Sequence, residues 1–82
     1  MDDSELIRKR IEKVFREVFS KPSFVFSPGL SAADVPEWTS LQHVRLIAAL
    51  EKEFALQFEF SELVEIETVG DIIRVIEQRL LT

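Results

Sequence analysis

The segment Glu37–Val44, with the sequence EWTSLQHV, brings together side chains that could do chemistry. It holds adjacent hydroxyls on Thr39 and Ser40, the one histidine of the chain, His43, and a carboxylate on Glu37. Ser40, His43 and Glu37 have the side-chain types needed for a nucleophile, a base and an orienting acid. Because residues three apart on a helix are neighbours, Ser40 and His43 could lie together across one helical turn. Ser and Thr also accept hydrogen bonds from free N–H groups in the first turn of a helix. Ser40 is therefore either a reactive hydroxyl or a helix cap.

The composition narrows the chemistry that this segment can support. The 82 residues include no cysteine and one histidine, which excludes disulfides, a thiolate nucleophile and a Cys-based or imidazole metal cluster. Nothing in the sequence marks an oxyanion hole, and so small a chain has little room to exclude water from a reaction. We therefore expect no metal site, no catalytic residues and no enzyme.

Length and hydropathy predict the broad class of the protein. A hydrophobic fraction of 46% over 82 residues predicts one domain, residues 1–82, with a single core. No apolar run is long enough to span a bilayer, and MDDSELIRKR lacks the apolar segment of a signal peptide. We expect a monomeric cytoplasmic protein.

The acidic residues are concentrated in the middle of the chain. Residues 34–71 contain nine acidic side chains against two basic ones, Arg45 and Lys52, while the net charge of the whole chain is −5. An acidic field repels nucleic acid and attracts basic protein surfaces. The distribution predicts protein partners with basic surfaces and no nucleic-acid partner, although acidic surfaces also serve solubility alone.

Hydrophobic periodicity predicts four helices. They cover Ser4–Phe19, Ser40–Phe54, a short stretch beginning at a Ser61 cap, and Thr68–Leu80. The first helix has one apolar stripe, which consists of Ile7, Ile11, Val14, Phe15 and Val18, and the last helix has Val69, Ile72, Ile73, Ile76 and Leu80 on one side. Residues 20–38 hold all three prolines and form a long connection, which is expected to pack on the core rather than to extend into solvent. Its apolar anchors are Phe24, Phe26, Leu30 and Trp38, and residues 31–34 are expected to add one helical turn. The fold class is all-α, a small four-helix bundle with a long first loop and a short third helix.

The second helix has two apolar stripes. The first predicts core residues, and they are Leu46, Ile47, Leu50 and Phe54, with His43 at the upper end of the same side. The second consists of Leu41, Val44 and Ala48 and points largely elsewhere. It is either the flank of a wide core face, with Leu41 packed under Trp38, or a surface that a partner binds.

Two segments resemble a known family. WTSLQHVRLIAALEKEFALQF and IETVGDIIRVI resemble the acyl carrier proteins and related phosphopantetheine-binding carrier domains. The family pattern is Asp-Ser-Leu at the start of the second helix, then Ala-Leu-Glu-x-x-Phe, then Thr-Val-x-Asp after a short third helix. The likeness runs from about Asp34 to Leu81 and is densest at Trp38–Phe54 and Thr68–Ile76.

The resemblance implies a covalent carrier. A phosphopantetheinyl transferase would attach 4′-phosphopantetheine to Ser40, and the thiol of that group would hold an acyl or related cargo as a thioester for acyl-loading and acyl-transfer enzymes. Such carriers serve fatty acid, polyketide, peptide and aminoacyl pathways. The resemblance, with local charge, predicts partner-recognition residues, and they are Glu37, Leu41, Val44, Arg45, Ala48 and Ile66. Ile66 is assigned to the third helix. Phe58, Phe60, Leu63 and Ile66 border the region where family members can shelter a chain, and we expect them to be core first.

Position 39 departs from the family pattern. The family has Asp immediately before the modified serine, whereas this chain has Thr39. Threonine still caps a helix, but it removes a carboxylate that in the family helps to recruit the transferase. The departure supports an alternative, a helical protein-interaction module that is not modified and in which Ser40 is only a cap.

Overall fold

A computed structural model describes residues 3–19 and 25–81 of the chain. Within these ranges the chain forms four α-helices, and they are α1 (Asp3–Val18), α2 (Ser40–Phe54), α3 (Phe60–Leu63) and α4 (Val69–Leu81). A one-turn 3₁₀ helix, Ala32–Asp34, lies in the connection between α1 and α2. The described ranges contain no strand, only an isolated bridge between Ser31 and Thr68. The predicted all-α bundle, with its long first loop and short third helix, is confirmed.

Helix α1 forms one wall of the core. Its apolar stripe faces α2 and α4, and Ile7, Ile11, Val14 and Phe15 are buried as predicted, with Val18 partly buried. Glu53 of α2 accepts hydrogen bonds from Arg10 Nε at 2.8 Å and Lys13 Nζ at 3.2 Å. These bonds hold the pKa of the Glu53 carboxyl below its ordinary value. Helices α1 and α2 are thus joined by apolar packing and by ion pairs.

The described part of the long connection, residues 25–38, packs on the core, as predicted. Leu30 and Trp38 are buried, and the Phe26 ring meets Phe15 edge-on at a centroid distance of 5.4 Å. Phe24 lies outside the described residues. Val35 is also buried, which the sequence analysis missed. The expected single turn at residues 31–34 is confirmed, since Asp34 Oδ2 accepts the N–H of Ser31 at 3.2 Å.

The backbone of the connection is also joined to the start of α4. Val69 N–H donates to Leu30 O at 2.9 Å, and Gly70 N–H donates to Pro28 O at 2.8 Å. These bonds satisfy backbone donors at the start of a helix and fix the course of the loop at the same time. The loop that precedes Ser40 is therefore held in place by a distant helix.

The third and fourth helices correct the sequence-based interpretation in two places. Glu59, not Ser61, precedes α3, and its N–H donates to Glu62 Oε1 at 2.8 Å. Leu80 was expected on the core side of α4 but is 42% exposed, whereas Val75 is buried. The remaining predicted core residues of α4 are confirmed, and they are Val69, Ile72, Ile73 and Ile76. In the part of the chain that the structure describes, no helix is long and apolar enough to cross a membrane.

Candidate functional site

Ser40 is the first residue of α2 and is exposed. The residue before it, Thr39, has an extended backbone, and its hydroxyl oxygen accepts the N–H of Gln42 at 3.3 Å. Thr39 O also accepts the N–H of His43 at 2.8 Å. The N-cap of α2 is therefore Thr39 rather than Ser40. The Ser40 hydroxyl makes no hydrogen bond with any residue in ranges 3–19 and 25–81.

The start of α2 is a suitable environment for an anion. The backbone N–H groups of Ser40 and Leu41 have no acceptor among the described residues, and the first turn contains no acidic residue. Unpaired N–H groups and the positive end of the helix dipole both favour a phosphate. A phosphate ester on Ser40 would meet these groups without competition from a carboxylate in the first turn of the helix.

An open cleft of about 660 Å³ lies beside Ser40. One wall is the 3₁₀ turn with Ala32 and Ala33, and another is the start of α2 with Ser40 and Val44. Ile66 lines the cleft but is otherwise buried, with 7% of its surface exposed. It also follows α3 rather than belonging to it, because α3 ends at Leu63. Ile66 is therefore part of the cleft and the core, not of an exposed stripe.

Trp38 and His43 fasten the loop to the start of α2. Trp38 Nε1 donates a hydrogen bond to His43 Nδ1 at 3.0 Å, and the two rings stack at 6.0 Å with an interplanar angle of 18°. The other side of Trp38 meets Phe15 edge-on at 5.4 Å. Partial burial lowers the pKa of His43 below its ordinary value of 6.5. Both residues pack as predicted.

The same hydrogen bond uses a lone pair that the nucleophile arrangement considered for Ser40 would need. A neutral imidazole that accepts at Nδ1 carries its hydrogen on Nε2. His43 then has no free lone pair with which to take a proton from Ser40. The geometry does not form a Ser40–His43–Glu37 triad.

The second apolar stripe of α2 is exposed. Leu41 is 61% and Val44 is 65% exposed, and Ala48 is exposed as well. Leu41 is therefore not packed under Trp38. Arg45 is exposed beside the stripe, whereas Glu37 is half-buried near the loop. The structure therefore exposes four of the six predicted partner-recognition residues near Ser40, whereas Glu37 is half-buried and Ile66 is buried.

Helix α3 and the residue that follows it add two exposed apolar side chains that the sequence pattern did not assign to this surface. Phe60, predicted to be core, is 80% exposed, and Val64 is 60% exposed. Phe58 is buried and Leu63 partly buried, as predicted. Val64 faces Val44 and Ala48 across a groove of about 430 Å³ between α2 and α3. The exposed apolar surface therefore extends beyond α2.

No metal site accompanies these features. Within the described ranges, no group of three or more His, Asp or Glu side chains is placed to hold a metal ion. The chemistry available at this site is that of one serine hydroxyl at an open helix start, beside a cleft and an exposed apolar stripe. Those features suit a phosphate ester on Ser40.

Comparisons with known proteins place the chain in a family. The family model described as the phosphopantetheine attachment site matches residues 38–76. The solution NMR structure of a holo acyl carrier protein from Geobacter metallireducens is similar, with a TM-score of 0.83 and 32% sequence identity. That match covers 92% of this chain and 86% of the other. A search of curated proteins found no match.

The chain belongs to the acyl carrier protein family. The predicted cofactor, covalently attached 4′-phosphopantetheine, is confirmed by the family model and by the likeness to a holo protein. The residues present fit this group, since the matched segment includes an exposed serine at a helix start with unpaired N–H groups.

Proposed function

We propose that Ser40 is the attachment residue and that the chain carries an acyl or related group as a thioester for partner enzymes. The observation that supports this most directly is the division of roles at the start of α2. Thr39 caps the helix, so the Ser40 hydroxyl is exposed and not occupied by capping. In the attachment reaction Ser40 Oγ bonds to the phosphorus on the pantetheine side of the coenzyme A pyrophosphate. The P–O bond from that phosphorus to the bridging oxygen breaks, adenosine 3′,5′-bisphosphate leaves, and the serine proton passes to a base of the transferase.

The residues around Ser40 have separate parts in this proposal. The N–H groups of Ser40 and Leu41 favour the phosphate, while Trp38 and His43 hold the loop that forms one side of the cleft. The cofactor supplies the thiol that a chain without cysteine lacks. Leu41, Val44 and Ala48 are the apolar contacts offered to partner enzymes, with Arg45 and Glu37 at their border. Ile66 contributes from within the cleft.

Attachment can be tested by intact mass. Coexpression with a broad-specificity phosphopantetheinyl transferase is expected to add the mass of one phosphopantetheine to the chain, and Ser40→Ala is expected to abolish the addition. Thr39→Ala serves as the matched control, because it removes the neighbouring hydroxyl and keeps Ser40. A mass increase that persists in Ser40→Ala would refute the assignment of the attachment residue.

The thioester can be tested on the modified chain. After incubation with an acyl-transfer enzyme and an acyl donor, neutral hydroxylamine should remove the acyl mass and leave the phosphopantetheine mass in place. An acyl mass that resists neutral hydroxylamine would show a different linkage.

Thr39 supports a second candidate function, an unmodified helical interaction module. The family's acid is absent beside Ser40, and Glu37 is half-buried rather than exposed at that position. A chain that several transferases leave unmodified, both as wild type and as Thr39→Asp, would favour this function. Modification of Thr39→Asp alone would show that position 39 controls recognition by the transferase.

A further inference from the structure

The acidic residues in the middle of the chain are largely engaged within the fold. Glu53 pairs with Arg10 and Lys13, and Glu62 accepts from Arg79 Nη1 at 2.6 Å. Glu51 Oε2 accepts the backbone N–H of Phe58 at 2.9 Å. The charge of the surface around Ser40 therefore differs from the summed charge of the segment.

The outer edge of α2 is basic. Between Ser40 and Leu50 the helix has no acidic residue. Arg45 and Lys52 are exposed and lie seven residues apart, two turns along the same edge of the helix. Within the described part of the chain, no carboxylate lies within ion-pair distance of either side chain.

The opposite edge of the same surface is acidic. Val64 lies across the groove from α2, and Glu67 lines the adjoining cleft together with Val44. Glu67 is exposed, as is Glu65 two residues earlier, and neither carboxylate forms an ion pair with a cation among residues 3–19 and 25–81. We call the apolar residues Leu41, Val44, Ala48 and Val64, with these two charged edges, the docking face.

We propose that the docking face binds a partner enzyme that places carboxylates opposite Arg45 and Lys52. This inference rests on the proposed function and names the chemistry of the partner surface. A uniformly basic partner, which the summed charge predicted, would bring like charges together along α2, and desolvated like charges oppose binding. The apolar stripe supplies the contact area, and the two edges set the orientation.

The test reverses one charge on the carrier and one charge on a single partner protein, which serves as the probe. The probe is a broad-specificity phosphopantetheinyl transferase with a basic carrier-facing surface, together with a variant in which one of those basic residues is replaced by Glu. Dissociation constants are measured by fluorescence anisotropy for carriers in a Ser40→Ala background, so that no modification takes place. The carriers are the parent, Arg45→Glu and, as matched control, Arg8→Glu, which makes the same charge change on exposed α1.

The expected result is a crossed binding pattern, in which each transferase prefers the carrier whose charge at position 45 is opposite to its own. Arg45→Glu should bind the basic transferase about 3–10-fold more tightly than the parent, the range of charge pairs worth roughly 1 kcal/mol. The charge-reversed transferase should prefer the parent by a similar factor, and about 1 M salt should suppress both differences. Arg8→Glu should follow the parent within about twofold, because its charge lies away from the docking face.

Several outcomes would overturn this inference. One is an Arg45→Glu effect no larger than that of Arg8→Glu, or no detectable binding in any pairing. Another is a dimer of the chain alone, seen by sedimentation and lost in Arg45→Glu, which would assign the face to a second copy. Failure of the proposed function can be told apart from failure of this inference. It would appear as an unmodified Ser40 in the mass experiment, even if the crossed binding pattern is found.

Discussion

Helices α2 and α4 each begin after a threonine, but the two starts are built differently. At α4, Asp71 Oδ2 accepts the N–H groups of Glu67 and Thr68, both at 3.0 Å. Thr68 Oγ1 accepts the N–H of Asp71 at 3.2 Å in return. This reciprocal arrangement is a capping box, and it explains the Thr-Val-x-Asp pattern in physical terms. Together with the bonds to the long connection, it satisfies the backbone donors at the start of α4.

The start of α2 lacks the second half of that arrangement. The hydroxyl oxygen of Thr39 accepts one N–H, that of Gln42 at 3.3 Å. Gln42 also stands at the position that Asp71 has in α4, three residues after the threonine. Gln42 Oε1 is buried and makes no hydrogen bond with the described residues. The two threonine caps, Thr39 and Thr68, therefore have different purposes. One start is closed by a carboxylate and fixes the fold, whereas the other keeps N–H groups available where the proposed function places a phosphate.

Removing the carboxylate of Asp71 should give the largest effect. Asp71→Ala loses two hydrogen bonds accepted from backbone N–H groups and an exposed one accepted from Arg74, and it is expected to lower the free energy of unfolding by about 2 kcal/mol. Chemical denaturation followed by circular dichroism measures it. Asp71→Asn keeps one acceptor oxygen and is the control, with a smaller expected loss. An Asp71→Ala loss no larger than that of Thr39→Ala would remove the distinction between the two helix starts.

The contact between α4 and the long connection is tested at Gly70. A Cβ at this position would lie 3.0 Å from Pro28 O, the oxygen that accepts the Gly70 N–H. Crowding of this kind outweighs the helix propensity that alanine adds, so Gly70→Ala should lower the free energy of unfolding by about 1 kcal/mol. Gly29→Ala is the control, because no atom lies within 4 Å of its added Cβ. Stabilisation by Gly70→Ala would show that the connection can move away from α4.

The features that the sequence predicted correctly are those set by nearby residues. The bounds of α2 follow from a cap at Thr39 and a regular apolar period, and both signals lie within one segment. The start of α3, with Glu59 rather than Ser61 at the N-cap position, was misassigned because serine is a residue type that commonly caps helices and glutamate is not. Glu62 favours Glu59, and Arg79, seventeen residues away, holds Glu62 in place.

The candidate site, too, was predicted only where nearby residues determine it. Ser40 and the exposed stripe follow from local pattern and resemblance, whereas the burial of Val35 has no periodic signal because it lies in a loop. The charge of the docking face depends on ion pairs such as Arg10–Glu53, which join residues 43 positions apart. Summed charge cannot reveal which carboxylates such pairs neutralise.

The cap of α2 should contribute less than that of α4. Thr39→Ala removes one long, exposed hydrogen bond and is expected to cost about 0.5 kcal/mol, at the low end for helix caps. The same denaturation experiment measures it, alongside Asp71→Ala. Phosphopantetheine addition to Ser40 should persist in this variant. A cost of about 2 kcal/mol would show that α2 depends on its cap as strongly as α4 does.

The smallest effect concerns pH and the side-chain contact that holds the start of α2. Protonated His43 cannot accept from Trp38, and burial lowers the pKa of His43 below 6.5. The unfolded chain therefore binds this proton at a higher pH than the folded chain does, so stability falls as the pH drops through 6.5 and levels off below the folded pKa. The lowered pKa values of Glu53 and Asp71 add a slope of the same sign as the pH approaches the ordinary pKa values of these carboxyls, 4.5 and 3.8, so the His43 slope is measured between pH 6.5 and about 5.5. Denaturation followed by Trp38 fluorescence measures the slope, and His43→Gln, which keeps an acceptor but does not titrate, should reduce it. An equal slope in both proteins would show that the start of α2 does not depend on the protonation of His43.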